Sequence, residues 1–302
     1  MEKYTIEINN EHKNLNLGKL VGGKALPLFE LKRKNIEIPA GFVVTIDAYK
    51  CFFKENNLYL GFNKKKVNQK IIDSLREKII SSNFSEKIKN EIYDKTQSLK
   101  GKSFAVRSSA IVEDSQNKSW AGEFDSYLNV SKKDILLSIK KCWASLLNKR
   151  AIEYAGGISE ILKIKMAVIV QNIIVSDVSG VCFTRNPLDK NDNDIRIEAI
   201  FGFGDLLVQG EVIPDSYLVE KGSNLILEVI VQKQELISRI SKRGGMKVLS
   251  ITGRYNQKLS NKEIIELAKI IKRIEKIHGL GRDIEWCKKG EKFFILQSRP
   301  IV

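Results

Sequence analysis

Histidine, methionine and cysteine are scarce in this sequence, with two, three and four residues among 302. Cys51, Cys142, Cys182 and Cys287 stand far apart, form no CxxC pair and have only His12 and His278 as co-ligands. Neither a zinc site nor a disulfide framework is indicated, and the cysteines read as isolated small hydrophobes. No apolar run approaches the roughly 18 to 20 residues a membrane helix needs, and the opening Met1-Glu2-Lys3-Tyr4 lacks the apolar core of a signal peptide. The expectation is no membrane partner and a cytoplasmic location. The sequence also lacks internal repeats and low-complexity linkers.

What it has is lysine. The formal charge is +15 at pH 7, but the cations are scattered along the chain rather than concentrated on one face among stacking aromatics. The run Lys64-Lys65-Lys66 opens an amphipathic helical pattern. Nucleic acid is therefore not an expected partner. A hydrophobic fraction of 43% supports a sizeable core, in one large domain or two lobes.

Apolar spacing predicts a helix after Val21-Gly22-Gly23-Lys24, carrying Leu28 and Leu31. A turn and short strand follow over 39–45, then a helix through Ala48 to Glu55 and two polar helices up to Leu99. Ser103 to Arg107 and Asp125 to Val130 read as a hairpin-like pair around a polar, mobile loop. A helical stretch covers Lys132 to Asn148, and Lys165 to Val175 and Val178 to Thr184 are buried strands. Further strands are expected at Ile195 to Ile200, Ser216 to Glu220 and Ile226 to Gln232. A helix over Asn261 to His278 precedes a closing pair, Asp283 to Cys287 and Phe293 to Ser298. The lobe boundary is placed near Gln171.

Three features carry chemistry. Gly22-Gly23-Lys24 at a helix start offers free N–H groups and a point charge to an anion, although taken alone a glycine-capped helix with a solvated lysine is the simpler reading. In Phe104-Ala105-Val106-Arg107-Ser108-Ser109-Ala110 an arginine at a strand end sits beside two hydroxyls, suited to gripping phosphate oxygens. The loop behind it, through Glu113-Asp114 and Ser119-Trp120-Ala121-Gly122, could close over a triphosphate as a lid; a surface hairpin with an ion-paired arginine is the alternative. On the closing strands, Asp283 and Glu285 share one face, as do Gln297 and Arg299. If the strands pair through a turn near Lys289-Gly290, the four converge. Carboxylate and amide oxygens suit Mg²⁺, and Arg299 would face a phosphoryl group. Exposed strand faces laced with ion pairs are the competing reading.

In joint order these motifs, together with Ile38-Pro39-Ala40-Gly41-Phe42, Gly180-Val181-Cys182-Phe183-Thr184-Arg185-Asn186-Pro187, Pro214-Asp215 and Gln297-Ser298-Arg299-Pro300, resemble a known family. It is the ATP-binding domain shared by phosphoenolpyruvate synthase, pyruvate phosphate dikinase and rifampin phosphotransferase. The resemblance implies an α/β (α+β) fold, a two-lobed ATP-grasp-type nucleotide-binding domain with mixed or antiparallel sheets flanked by helices. Its N-terminal lobe would be residues 1–170 and its C-terminal lobe 171–302. It also implies ATP and Mg²⁺ as cofactors. Lys24 and Arg107 would hold phosphates, with Gly122 in the lid, and Gln171 and Ile173 would line the adenine. Glu285 and Gln297 would bind Mg²⁺, with Asp283, two residues before Glu285 on the strand, as a further ligand, and Arg299 would be the transition-state arginine. Thr184 and Arg185 match a strand-end turn near the nucleotide. Asp205 ends a glycine turn, Gly202-Phe203-Gly204, where the family has the longer glutamate and a contact to the ribose.

By the same resemblance, ATP phosphorylates a histidine on a separate swivelling domain, which serves an acceptor domain in cis or in trans. His12 and His278 lack the surroundings of that carrier histidine. Pyruvate, an antibiotic hydroxyl and a glutamine amide are the family's final acceptors, and no residue here chooses among them. The rival readings are an ATP-binding sensor that transfers nothing, a direct small-molecule kinase, and a basic nucleic-acid binder.

Overall fold

The computed structural model describes residues 3–9, 11–12, 16–58, 69–113, 120, 122–185, 193–279 and 281–301. The chain divides into two compact units, one of Met1–Leu26 with Ala40–Ile173, the other of Pro27–Pro39 with Ile174–Val302. The run at Lys64-Lys65-Lys66, and Asp114, Ser119, Ala121, Asn186 and Pro187 of the quoted motifs, lie outside the described residues.

The first part of the chain forms β1 (Thr5–Glu7), α1 (Gly18–Val21), α2 (Ala25–Arg33), β2 (Gly41–Val44), α3 (Ile46–Glu55), α4 (Gln69–Ser81), α5 (Glu86–Ser98) and β3 (Ser103–Ala110). It continues through β4 (Ser126–Ser131), α6 (Ile135–Ala144), α7 (Lys149–Ala155), α8 (Ile158–Ile161) and β5 (Met166–Asn172). The five strands make one antiparallel sheet in the order β1-β2-β5-β3-β4. β5 is central, and every residue from Met166 to Gln171 is buried, as a strand covered on both faces requires. One sheet face, with Phe42, Val44, Phe104, Val106, Val168 and Val170, closes a core with Phe52, Ile88, Ile139 and Trp143. The start of α3 is fixed by Thr45, whose Oγ1 accepts the Ala48 N–H at 3.3 Å and so satisfies one orphan donor of the first turn. Gly41 pairs with Gln171, and a Cβ at Gly41 would overlap both the Val170 carbonyl oxygen and the Gln171 side chain.

The second part forms β6 (Val178–Phe183), β7 (Asp194–Phe201), α9 (Asp205–Val208), β8 (Asp215–Glu220), β9 (Ile226–Ile230) and β10 (Gln234–Ile240). β11 (Met246–Arg254), α10 (Asn261–His278), β12 (Arg282–Lys289) and β13 (Lys292–Pro300) complete it. Six strands pair antiparallel in the order β13-β12-β6-β7-β8-β9, and β10 and β11 form a separate hairpin. Strand alternation separates two faces. Cross-strand neighbours Ile284, Cys182, Ile197 and Tyr217 are fully buried. α10 packs against β7, β8 and β9 and buries Ile264, Leu267, Ala268, Ile271 and Ile274. A capping box of Ser260 and Glu263 opens α10, and Gly279, in the left-handed conformation, closes it. The early segment 27–39 belongs here through hydrogen bonds. The Ile295 N–H donates to the Glu37 carbonyl at 2.9 Å, and Arg273 to the Lys34 carbonyl at 3.1 Å.

Several features escape the periodicity reading, the short helices α7, α8 and α9 among them. β1, β10 and β11 are absent from it. Pro214-Asp215 and a lysine 43 residues away form a wholly buried ion pair, Asp215 Oδ1 to Lys258 Nζ at 2.7 Å. The same carboxylate accepts the Gln232 N–H at 2.8 Å, the Lys258 N–H at 2.9 Å and the Tyr217 hydroxyl at 2.8 Å. Burial and this anionic neighbour push the Tyr217 hydroxyl pKa up. No helix among the described residues is long and apolar enough to cross a membrane.

Candidate functional site

In the first unit the Gly22-Gly23 turn is bonded to the end of β3. The Gly23 N–H donates to the Ala110 carbonyl at 2.9 Å and the Ala25 N–H to Ser109 Oγ at 3.0 Å, while Ser109 Oγ donates to the Val21 carbonyl at 2.7 Å. The expectation of free N–H groups aimed at an anion is therefore corrected for Gly23 and Ala25, whose donors are used internally. The glycines answer a different need: a Cβ at Gly22 would overlap the Ser109 carbonyl oxygen, and one at Gly23 the Glu113 carbonyl oxygen. Gly23→Ala is expected to lower stability by about 1–3 kcal/mol, the usual cost of overpacking, read as a fall in the urea midpoint. An unchanged midpoint would reject the close-approach account.

This turn presents Lys24. Its Nζ lies 2.7 Å from Glu113 Oε1 and 3.4 Å from Ser108 Oγ. Arg107 and Gln171 are brought together differently. Arg107 pairs with Ile169 and Ala105 with Gln171, so Arg107 and Gln171 are diagonal neighbours on the sheet face opposite the Phe104 and Val106 core. Small neighbours, Gly41 and Ala105, flank Gln171 on this face. Ile173 follows two residues on, its N–H bonded to the Ser103 carbonyl at 3.1 Å. Gly122 is exposed in the left-handed conformation with open space about it. Next to it, Trp120 is buried against Phe124 and Tyr154, with ring centroids at 5.3 and 4.8 Å. The rest of the expected lid, 114–119 and 121, is outside the described residues.

In the second unit the closing strands pair with Asp283 opposite Arg299 and Glu285 opposite Gln297, so all four side chains leave one face. Extended across the sheet, the first row is Arg299, Asp283, Phe183, Arg196 and Leu218; the second is Gln297, Glu285, Val181, Glu198 and Ser216. This face is the one opposite Ile284 and Ile197, and it is half-buried rather than sealed. Arg299 grips Asp283 Oδ2 with Nε at 2.8 Å and Nη2 at 2.6 Å, which makes Asp283 the anchor of the guanidinium. Burial pushes the Asp283 carboxyl above the usual range against the pull of Arg299. Glu198, which the sequence reading missed, is pushed up chiefly by burial and also by Asp283, with Arg196 opposing. Its signal was available: β7 alternates Ile195, Ile197 and Ala199 inward with Arg196 and Glu198 outward.

The remaining expected residues serve local structure. The Thr184 hydroxyl accepts the Arg282 N–H at 2.7 Å and extends the β6–β12 pairing. Arg185 beside it is exposed. Asp205 accepts the Ser238 hydroxyl at 2.7 Å through Oδ2, while its buried Oδ1 has no protein partner. Ahead of it, Gly202 takes a positive φ of 83°, and its carbonyl receives the Ser176 and Ser179 hydroxyls at 2.9 and 2.7 Å. The His278 side chain is only 6% exposed, with Nδ1 3.4 Å from Ser298 Oγ.

Among the described residues no three His, Cys, Asp or Glu side chains are grouped to hold a metal alone. The cross-strand pair of Glu285 and Gln297 is a hard-oxygen donor set of the kind Mg²⁺ accepts when phosphate and water complete its shell. The residues present thus fit that ion.

The sequence matches the family model described as pyruvate phosphate dikinase, AMP/ATP-binding domain, over residues 18–302. It is 32% identical over 286 residues to the uncharacterized phosphotransferase YvkC of Bacillus subtilis, covering 93% of this chain and 33% of that protein. It is 34% identical over 302 residues to a probable phosphoenolpyruvate synthase of Methanocaldococcus jannaschii, covering 93% and 25%. To the rifampicin phosphotransferase of Bacillus subtilis it is 34% identical over 302 residues, covering 93% and 34%. The chain thus spans about a quarter to a third of the length of these relatives.

Proposed function

Because this chain belongs to the pyruvate phosphate dikinase AMP/ATP-binding domain family, we propose that it binds ATP with Mg²⁺ and passes a phosphoryl or pyrophosphoryl group to a histidine on a separate swivelling domain. That histidine serves a small-molecule acceptor: pyruvate, an antibiotic hydroxyl or a glutamine amide. The observation that carries the proposal is the register of β12 and β13, which sets Asp283 opposite Arg299 and Glu285 opposite Gln297 on one half-buried face.

Lys24 and Arg107 hold phosphate oxygens, with Gly122 in the covering segment. Gln171 and Ile173 line the adenine, and Thr184, Arg185 and Asp205 border the nucleotide. Glu285 and Gln297 hold Mg²⁺, and Asp283 positions Arg299 rather than binding the ion, since its Oδ2 already accepts two guanidinium hydrogen bonds. The bound ion supplies charge neutralisation on the phosphates. Arg299 directs its donors at the phosphoryl group in flight, and its planar fork is fixed in advance by Asp283, so little reorganisation is needed at the moment of transfer.

Calorimetric titration with ATP and AMP, with and without Mg²⁺, tests the binding half. Incubation with labelled ATP and a separately expressed histidine domain tests the transfer half. Mg²⁺-dependent ATP binding with label on the histidine supports the proposal. Binding without label favours a sensor or a direct kinase, and no nucleotide binding overturns it. Within the same experiment, Glu285→Ala is expected to raise the Mg²⁺ concentration at half-effect by more than the ~10–100-fold lost with an outer-shell partner. An unchanged Mg²⁺ titration removes Glu285 from the metal site.

A further inference from the structure

Lys24 stands on a tight turn, and a lysine side chain carries a compact charge on a flexible four-carbon stem. Something must hold it if it is to meet one phosphate oxygen reproducibly. The holder is Glu113, three residues beyond β3. Its carboxylate is essentially inaccessible, 1% exposed against 11% for Lys24. Its two oxygens do different work. Oε2 accepts the Ala110 N–H at 2.6 Å and folds the side chain back onto the strand end. Oε1 receives Lys24 Nζ at 2.7 Å. Ser108 Oγ lies 3.4 Å from the same Nζ and 3.5 Å from Oε1. An ammonium has three hydrogens. With two directed at Glu113 and Ser108, the direction of the third is set by the protein.

The backbone repeats the connection. Gly23, next to Lys24, donates to the Ala110 carbonyl at 2.9 Å, and its Cα approaches the Glu113 carbonyl too closely for any side chain. The lysine turn and the Ala110–Glu113 turn are therefore one rigid piece, held by main-chain and side-chain bonds.

We propose that Glu113 is the positioning residue of the phosphate site, acting through Lys24 to aim its remaining N–H at the terminal phosphates of the nucleotide. This rests on the reading of the chain as an ATP-binding domain. Simple charge arithmetic points the other way, and that makes the proposal testable by sign. A carboxylate beside a polyphosphate repels it, so neutralising Glu113 would tighten ATP if only charge mattered. If aim matters more, ATP weakens.

The test is the affinity of the full chain for ATP and for AMP, measured calorimetrically in wild type, Glu113→Gln, Lys24→Ala and the double variant, with melting temperatures recorded alongside. Glu113→Gln is expected to weaken ATP by about threefold to tenfold, the factor associated with ordering one rotamer-rich side chain, and to leave AMP unchanged. In the Lys24→Ala background it should add less than a factor of about two, because contacts acting through one group are not additive. Tighter or unchanged ATP binding in Glu113→Gln overturns the proposal, as does an equal loss in both backgrounds or a parallel loss for AMP, the mark of a merely structural role. Should Glu113→Gln fail to fold, Glu113→Asp keeps the charge but cannot reach both Ala110 and Lys24, and wild-type ATP affinity there overturns the proposal equally. A wild-type chain that binds no ATP defeats the functional reading itself, which separates the two failures.

Discussion

Replacing Arg299 by alanine is expected to lower phosphoryl transfer by about 10²- to 10³-fold, the loss seen when one preorganised donor to developing charge is removed. ATP affinity should stay within about threefold, since an interaction made only in the transition state leaves ground-state binding intact. The expectation comes from the way Arg299 is held. Both Nε and Nη2 are directed at a single oxygen, Asp283 Oδ2, and this fixes the plane of the guanidinium while other donors keep their directions. Arg299→Lys should rescue little, because an ammonium cannot reproduce the fork. Asp283→Asn should fall between wild type and Arg299→Ala, losing aim but not the cation. Turnover at saturating ATP, followed by label transfer to the histidine domain, reads all three. Full turnover in Arg299→Ala removes Arg299 from the chemistry.

The largest expected change in stability is remote from that chemistry. Lys258→Met should destabilise the second unit by about 3–5 kcal/mol, the cost of leaving one member of a buried ion pair without its partner. Both side chains are fully buried, so water does not screen the loss. Asp215→Ala should cost more than Lys258→Met. It removes an acceptor from four donors at once: the Gln232 and Lys258 N–H groups, the Tyr217 hydroxyl and Lys258 Nζ, which keeps only the Gln232 carbonyl as hydrogen-bond acceptor. Urea unfolding monitored by tryptophan fluorescence reports it through Trp286, the buried indole of this unit. A shift within experimental error for Lys258→Met would show that the pair is neutral.

How much of this was legible in the sequence depends on how local each signal is. α10 was readable end to end, because Ser260 with Glu263 marks its start, Gly279 its end, and the apolar residues between recur at helical spacing. β12 and β13 were readable with their shared face, since a short turn at Gly290 leaves few registers and alternation does the rest. β10 and β11 were not. β11 exposes Val248 and Leu249, while β10 buries Ile237 but leaves Leu236 and Ile240 part-exposed, and both strands interleave these with Lys, Arg or Ser, so no regular period of two emerges. β1 is only three residues long, too short for any period. The two buried ion pairs were invisible for another reason. Lys24 and Glu113 lie 89 residues apart in sequence, and Lys258 and Asp215 lie 43 apart. A lysine destined for a buried carboxylate looks, in sequence, like any solvated lysine. Gly22 and Gly23 were read as letting the backbone approach an anion, but what they answer to is the Ser109 and Glu113 carbonyls they press against.

The membership of Pro27–Pro39 in the second unit has a consequence for the order in which the protein is made. This segment leaves the ribosome well before its partner for the Glu37 carbonyl, Ile295, which lies 258 residues further along the chain. The first unit can gather all five of its strands once Asn172 has emerged. The second cannot complete itself until β13 exists, and meanwhile Leu28, Phe29, Leu31, Ile36 and Ile38, all buried in the finished fold, await cover. Long waits of this kind expose apolar surface to aggregation and call for chaperones. A nascent chain arrested before residue 292 should therefore hold a protease-resistant first unit beside an open 27–39 segment.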